Sequence, residues 1–67
     1  MQFCWKEFGY DIKNFRENNC YGLRELAKEI KVHYSTLSRA ENGKPTSVVH
    51  FLRLCKKIGA DPFYYLP

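Results

Sequence analysis

The sequence predicts an all-α domain of five short helices. Three observations carry that prediction. Apolar residues recur every three or four positions through successive segments, no segment alternates with period two, and Gly43, Pro45, Gly59 and Pro62 punctuate the periodic runs. In the first run, from Phe3 to Asn18, Cys4, Trp5, Phe8, Ile12 and Phe15 share one face, with Lys6, Glu7, Lys13, Asn14 and Glu17 opposite. Asn18-Asn19-Cys20-Tyr21-Gly22 interrupts it. The second helix is expected from Leu23 to Ile30, with Leu23, Leu26, Ala27 and Ile30 inside and Arg24, Glu25, Lys28 and Glu29 outside. Only Lys31-Val32-His33 separates it from the third.

The third helix, Tyr34 to Asn42, turns Leu37 and Ala40 inward with Glu41 close to them, and presents Ser35, Ser38, Arg39 and Asn42 outward. Gly43 suits the left-handed residue that ends a helix, and Pro45 forbids simple continuation. Ser47 is the expected N-cap of a fourth helix whose Val48, Phe51, Leu52, Leu54, Cys55 and Ile58 form a broad apolar stripe, closed by Gly59. Asp61-Pro62 has the chemistry of an N-cap followed by the first helical residue, so Phe63-Tyr64-Tyr65-Leu66 are expected to form a last helical turn.

Sixty-seven residues accommodate one domain, taken as 1–67. A chain this short buries only about 60% of the surface it exposes when unfolded, too little to carve a deep catalytic cleft, so no enzyme and no small-molecule substrate are expected. Eleven Lys and Arg against seven Asp and Glu give a net charge of +4, which suits a polyanionic partner wherever the cations cluster. From Lys31 to Lys44 the one acid is Glu41, so this stretch is positive if that carboxylate turns inward. Three cysteines without a C-x-x-C pair, and no apolar run near the ~18 residues of a membrane span, predict a reduced cytoplasmic chain with no membrane partner. Cys4, Cys20, Cys55, His33 and His50 lack the paired short spacings of a zinc site, so neither a metal nor another cofactor is expected. Cys55 reads as a buried, inert thiol. His33, Ser35 and Glu41 spell a nucleophile triad, but they fall on different faces of one short helix and imply no catalysis.

Two short helices joined by a three-residue turn can brace one helix against the major groove of DNA. The stretch LRELAKEIKVHYSTLSRAENGKP resembles the helix-turn-helix core of the phage repressor and Cro family, the lambda repressor-like domains. The matching residues are Leu26-Ala27, Ile30, Val32, Leu37, Ser38 and Glu41-Asn42-Gly43, preceded by Ile12 and Arg16 at the spacing of the family's first helix. The resemblance implies a compact five-helix domain in which helices 2 and 3 form the helix-turn-helix. It also implies a cytoplasmic, prokaryotic or phage-encoded regulator, associated with the nucleoid, that binds a palindromic operator as a homodimer, at least on DNA.

Ala27 is small where helix 2 would meet helix 3, and Val32 plugs the turn into the core. Three positions depart from the family pattern. Lys31 stands where a Gly usually opens the turn, at a cost of roughly 1 kcal/mol. His33 stands where Ser or Thr usually caps the recognition helix, so capping is expected to be weak or delegated to another group. Leu23 replaces a polar residue that would contact phosphate, leaving that role to Arg24 or a backbone N–H.

By resemblance helix 3 is the recognition helix, and Tyr34, Ser35, Thr36, Ser38 and Arg39 approach base edges. Arg39 is the strongest candidate for direct readout, because a guanidinium donates two hydrogen bonds to guanine O6 and N7. Tyr34 has two readings, a ring pressed on a thymine methyl or a hydroxyl on a phosphate. Phosphate contacts are expected from Asn42, Gly43 and Lys44, with Arg24, Lys28 and Lys31 as secondary candidates. Arg16 and Glu41 would each be costly if buried alone, and the resemblance implies an internal ion pair that orients the recognition helix. Phe63, Tyr64, Tyr65 and Leu66 have two readings, packing within the chain or completing an isologous dimer interface. The competing function is a helical protein-interaction module, antitoxin-like or partner-binding, that keeps the fold without specific DNA binding.

Overall fold

Apolar stripes from every predicted segment converge on one core in the computed structural model, which describes residues 4–65. The elements are α1 (Trp5–Asn18), α2 (Leu23–Glu29), α3 (Tyr34–Glu41) and α4 (Val48–Ile58), followed by a 3₁₀ turn at Pro62–Tyr65. The expected fifth helix is thus a single 3₁₀ turn, leaving four α-helices among the described residues. Four residues cannot sustain a ladder of i to i−4 bonds, and Pro62 supplies no N–H. Asp61 starts the turn, its Oδ1 accepting from the Phe63 N–H at 3.0 Å and its carbonyl from that of Tyr64 at 3.0 Å.

Phe8, Ile12, Leu26, Ala27, Ile30, Leu37, Ala40, Leu54, Cys55 and Tyr65 are buried. Phe8 is the aromatic centre, with edge-on contacts to Phe51 at 4.9 Å and Tyr65 at 5.0 Å between ring centroids. Tyr65 reaches the core without stranding its hydroxyl, which donates to Asp11 at 2.8 Å. Burial and that carboxylate push its ionisation well above the ordinary tyrosine range. Burial likewise pushes the Cys55 thiol up to about 11, so it stays protonated and unreactive at neutral pH.

Two apolar assignments need correction. Cys4 is exposed, at the residue preceding α1. Within α4 only Leu54 and Cys55 are fully buried, while Val48 is 71% and Leu52 48% exposed. The broad stripe divides because Leu52 lies more than a quarter turn from Leu54 around the helix axis and Val48 sits in the first turn, ahead of the core layer.

Each of the four α-helices ends in a left-handed residue and the six-residue backbone bond of a Schellman closure. The bonds run from Tyr21 N–H to the Arg16 carbonyl at 2.9 Å, Val32 to Ala27 at 3.0 Å, Lys44 to Arg39 at 3.0 Å and Ala60 to Cys55 at 2.9 Å. Gly43 and Gly59 supply the left-handed residue for α3 and α4, but Cys20 (φ 56°) and Lys31 (φ 59°) supply it for α1 and α2. A side chain in that region is strained. Cys20→Gly is therefore expected to stabilise the fold by about 0.5–1 kcal/mol, after allowing for the greater freedom of unfolded glycine. Urea denaturation checks it: an unchanged or lower midpoint contradicts strain at this closure.

Candidate nucleic-acid interface

The short α3 is held from three sides. Its core face carries Leu37 and Ala40, both fully buried. Its N-terminus is capped by His33, contrary to the expectation of a weak or delegated cap: the imidazole Nδ1 accepts from the Ser35 N–H at 3.2 Å and lies 2.7 Å from the Ser35 hydroxyl. An imidazole nitrogen offers the same lone pair to the first helical turn that a serine hydroxyl would. Glu41, at the C-terminal end, accepts twice from Arg16 of α1, from Nε at 2.6 Å and Nη2 at 3.1 Å. The third guanidinium nitrogen, Nη1, donates to the Tyr21 carbonyl at 3.2 Å.

This pair is nearly desolvated, with 17% of the Arg16 and 9% of the Glu41 side chain exposed. The Glu41 hydrogen bond holds the Arg16 ionisation above its ordinary value, so the guanidinium remains a cation throughout the pH range in which proteins fold. With the Glu41 carboxylate committed to Arg16, it does not orient His33 in the manner of a triad.

Sequence reasoning overlooked what sets the distance between α1 and α3. Gly9 is buried against the end of α3, where a Cβ atom would fall 2.4 Å from the Ala40 carbonyl oxygen and 2.8 Å from that of Glu41. No side chain fits there. A glycine in the middle of an otherwise regular helix was the available signal, since it weakens a helix unless close packing requires it.

The opposite face of α3 is open. Tyr34, Ser35 and Arg39 are exposed, and Thr36 and Ser38 half-buried. Asn42 and Lys44 are exposed beside the half-buried Gly43, and the Asn42 amide donates to the Ser38 carbonyl at 2.9 Å. Arg24, Lys28 and Lys31 are exposed on α2 and the turn that follows it. Arg53, which sequence reasoning did not single out, donates to the Lys31 carbonyl at 3.2 Å and so ties α4 to that turn. Of the C-terminal aromatic residues, Phe63 and Tyr64 are exposed but Tyr65 is core, so of its two readings the one that holds is packing within the chain; Leu66 lies outside the described residues.

Residues 12–65 match the family model described as helix-turn-helix, HTH_3. The chain belongs to that helix-turn-helix family. Its fold is also that of solved structures. The clp gene regulator ClgR from Corynebacterium glutamicum superposes with a TM-score of 0.72 at 30% identity, covering 92% of this chain and 67% of that one. A second ClgR structure gives 0.73 at 28% identity, covering 98% and 87%. The restriction-modification controller protein C.AhdI from Aeromonas hydrophila gives 0.73 at 22% identity, covering 87% and 89%, a likeness of fold. No curated protein matches the sequence. Among the described residues of this helix-turn-helix chain, no helix is long and apolar enough to cross a membrane, and no group of three or more His, Cys, Asp or Glu is placed to hold a metal ion.

Proposed function

We propose that the chain is a sequence-specific regulator of transcription that binds double-stranded DNA, working as a repressor that reads the major groove with α3. The observation that carries this reading is the two-sidedness of α3: its inner face is pinned by the core and the Arg16–Glu41 pair, while Arg39 has its guanidinium exposed and unpartnered among the described residues. A rigid helix offering free donors is what base readout requires. Ser35, Thr36, Ser38 and Arg39 face base edges. Arg24, Lys28, Lys31, Asn42, Gly43 and Lys44 contact phosphates. No catalysis and no cofactor enter this reading, and the setting is the cytoplasm, at the nucleoid.

A palindromic operator requires two copies. An apolar cleft of about 360 Å³ runs between α4 and the 3₁₀ turn, lined by Trp5, Val48, Phe51, Leu52 and Phe63. With Val49 and Tyr64, the exposed apolar surface on these elements is on the order of 500 Å² per copy. Two copies meeting there bury on the order of 1,000 Å², the lower bound for a specific interface. Half-sites one turn of duplex apart, roughly 34–36 Å, are the spacing that the two α3 helices of such a dimer have to match.

Gel-shift selection from a random duplex library tests the reading, with sedimentation of the chain alone and on the selected duplex. The expected result is a two-copy complex whose affinity falls by about 10³–10⁵ between 50 and 200 mM salt, for roughly 6–10 phosphate contacts. Arg39→Ala relaxes selectivity at one base pair by about 1–3 kcal/mol, whereas Lys44→Ala weakens all sequences alike and lowers the salt slope by about 1. The absence of any salt-sensitive, sequence-selective complex would instead favour a protein-interaction module using the same apolar patch.

A further inference from the structure

The chain has four arginines, and two of them give their donors to the protein itself: Arg16 to Glu41 and Tyr21, Arg53 to the Lys31 carbonyl. Arg24 gives none of its N–H groups to a described residue. It lies instead with its guanidinium carbon 4.0 Å from the centroid of the Tyr34 ring. That ring also stacks with His33 at 4.7 Å between centroids and 29° between planes. His33 is itself fixed by its bonds to Ser35. Arg24 at the start of α2 is therefore joined to the start of α3 through two rings, the second of which caps that helix.

We infer that Tyr34 is a positioning residue for Arg24, holding its guanidinium as a preformed donor toward a DNA phosphate at the junction of α2 and α3. The inference rests on the DNA-binding reading and replaces both direct-contact roles considered for Tyr34. A cation drawn to the face of an aromatic ring keeps its planar edge, with all five N–H donors, available to an acceptor. An unsupported surface arginine loses rotamer freedom on meeting a phosphate, and one already lying on a ring loses less. The acid next to Arg24 does not compete: the Glu25 carboxylate accepts from the Gly22 N–H at 3.0 Å and closes the start of α2. The contact needs the ring but not its hydroxyl, which makes the two separable.

The test measures affinity for the duplex selected by the wild-type chain, across a range of salt concentrations, for Tyr34→Phe, Tyr34→Leu, Arg24→Ala, Arg24→Lys and the Tyr34→Leu/Arg24→Ala double variant. Tyr34→Phe should bind within about twofold of wild type, and Tyr34→Leu about three- to tenfold more weakly. Arg24→Ala should bind about tenfold more weakly and lower the salt slope by about 1, with the double variant no weaker than Arg24→Ala alone. Arg24→Lys, with its charge but no planar fork, should fall between wild type and Arg24→Ala. In the free protein, ring-current displacement of the Arg24 side-chain proton resonances should survive in Tyr34→Phe and vanish in Tyr34→Leu. Circular dichroism confirms that each variant folds, and the Phe and Lys variants decide the matter should Tyr34→Leu not. Wild-type binding by Tyr34→Leu or Arg24→Lys, additive losses in the double variant, or a Phe variant as weak as Leu overturns the inference while leaving the DNA reading intact. A wild-type chain that forms no salt-sensitive complex overturns both.

Discussion

Replacing Gly9 by alanine is expected to destabilise the fold by about 1–3 kcal/mol, although the same change strengthens the helix that contains it. The added methyl would meet the Ala40 and Glu41 carbonyl oxygens at 2.4 and 2.8 Å, and both are backbone atoms at the end of α3 that no rotamer change can move aside. Overpacking of this kind costs typically about 1–3 kcal/mol, more where backbone must shift, against about 1 kcal/mol gained by alanine over glycine in a helix. For a domain of this size the whole stability is on the order of 3–10 kcal/mol, so the loss is a large fraction of it. Two measurements separate the opposing terms. A peptide spanning α1 should become more helical with alanine, while urea denaturation of the intact chain shows a lower midpoint. An intact Gly9→Ala chain as stable as wild type would mean that α1 and α3 do not meet as closely as 2.4 Å implies.

Removing one side of the Arg16–Glu41 pair is the second large perturbation. Glu41→Ala leaves Arg16 with one neutral acceptor, the Tyr21 carbonyl, in a site where only 17% of its side chain meets water. Breaking a fully buried pair costs about 3–5 kcal/mol; the residual solvent access lowers the expectation here to about 2–4 kcal/mol. Because much of that cost is an orphaned charge rather than a lost attraction, the Arg16→Met/Glu41→Leu double variant should recover most of it. Denaturant titration of Arg16→Met, Glu41→Leu and the double variant completes the cycle. Additive losses would show that the two groups act independently. Affinity for DNA is expected to suffer in the stable double variant as well, since the bidentate contact aims α3, whereas two apolar side chains fill space without fixing direction.

The buried faces of α1, α2 and α3 were legible because each carries its apolar residues at helical spacing, as with Phe8 and Ile12, Leu26 and Ile30, Leu37 and Ala40. Helix ends were legible where chemistry is specific. Ser47 caps α4 through its hydroxyl, accepting from the His50 N–H at 3.3 Å, and Gly43 and Gly59 adopt the left-handed conformation. His33 was misjudged because its capping atom sits on a ring whose orientation depends on Ser35 and Tyr34. Val48 and Leu52 were misassigned because periodicity says which residues share a face, while only the packing of α1 and the 3₁₀ turn against α4 says how much of that face is covered.

By itself the sequence determined the helical class, the helix-turn-helix segment and the polar outer face of α3, because each depends on residues within one or two turns of one another. Tertiary structure alone decided that Gly9 sets the gap between α1 and α3, that Tyr65 belongs inside, and that Arg24 lies on Tyr34. Each of those joins residues distant along the chain. Their separation in space follows from how rigid helices cross, a property that no local spacing of residue types encodes.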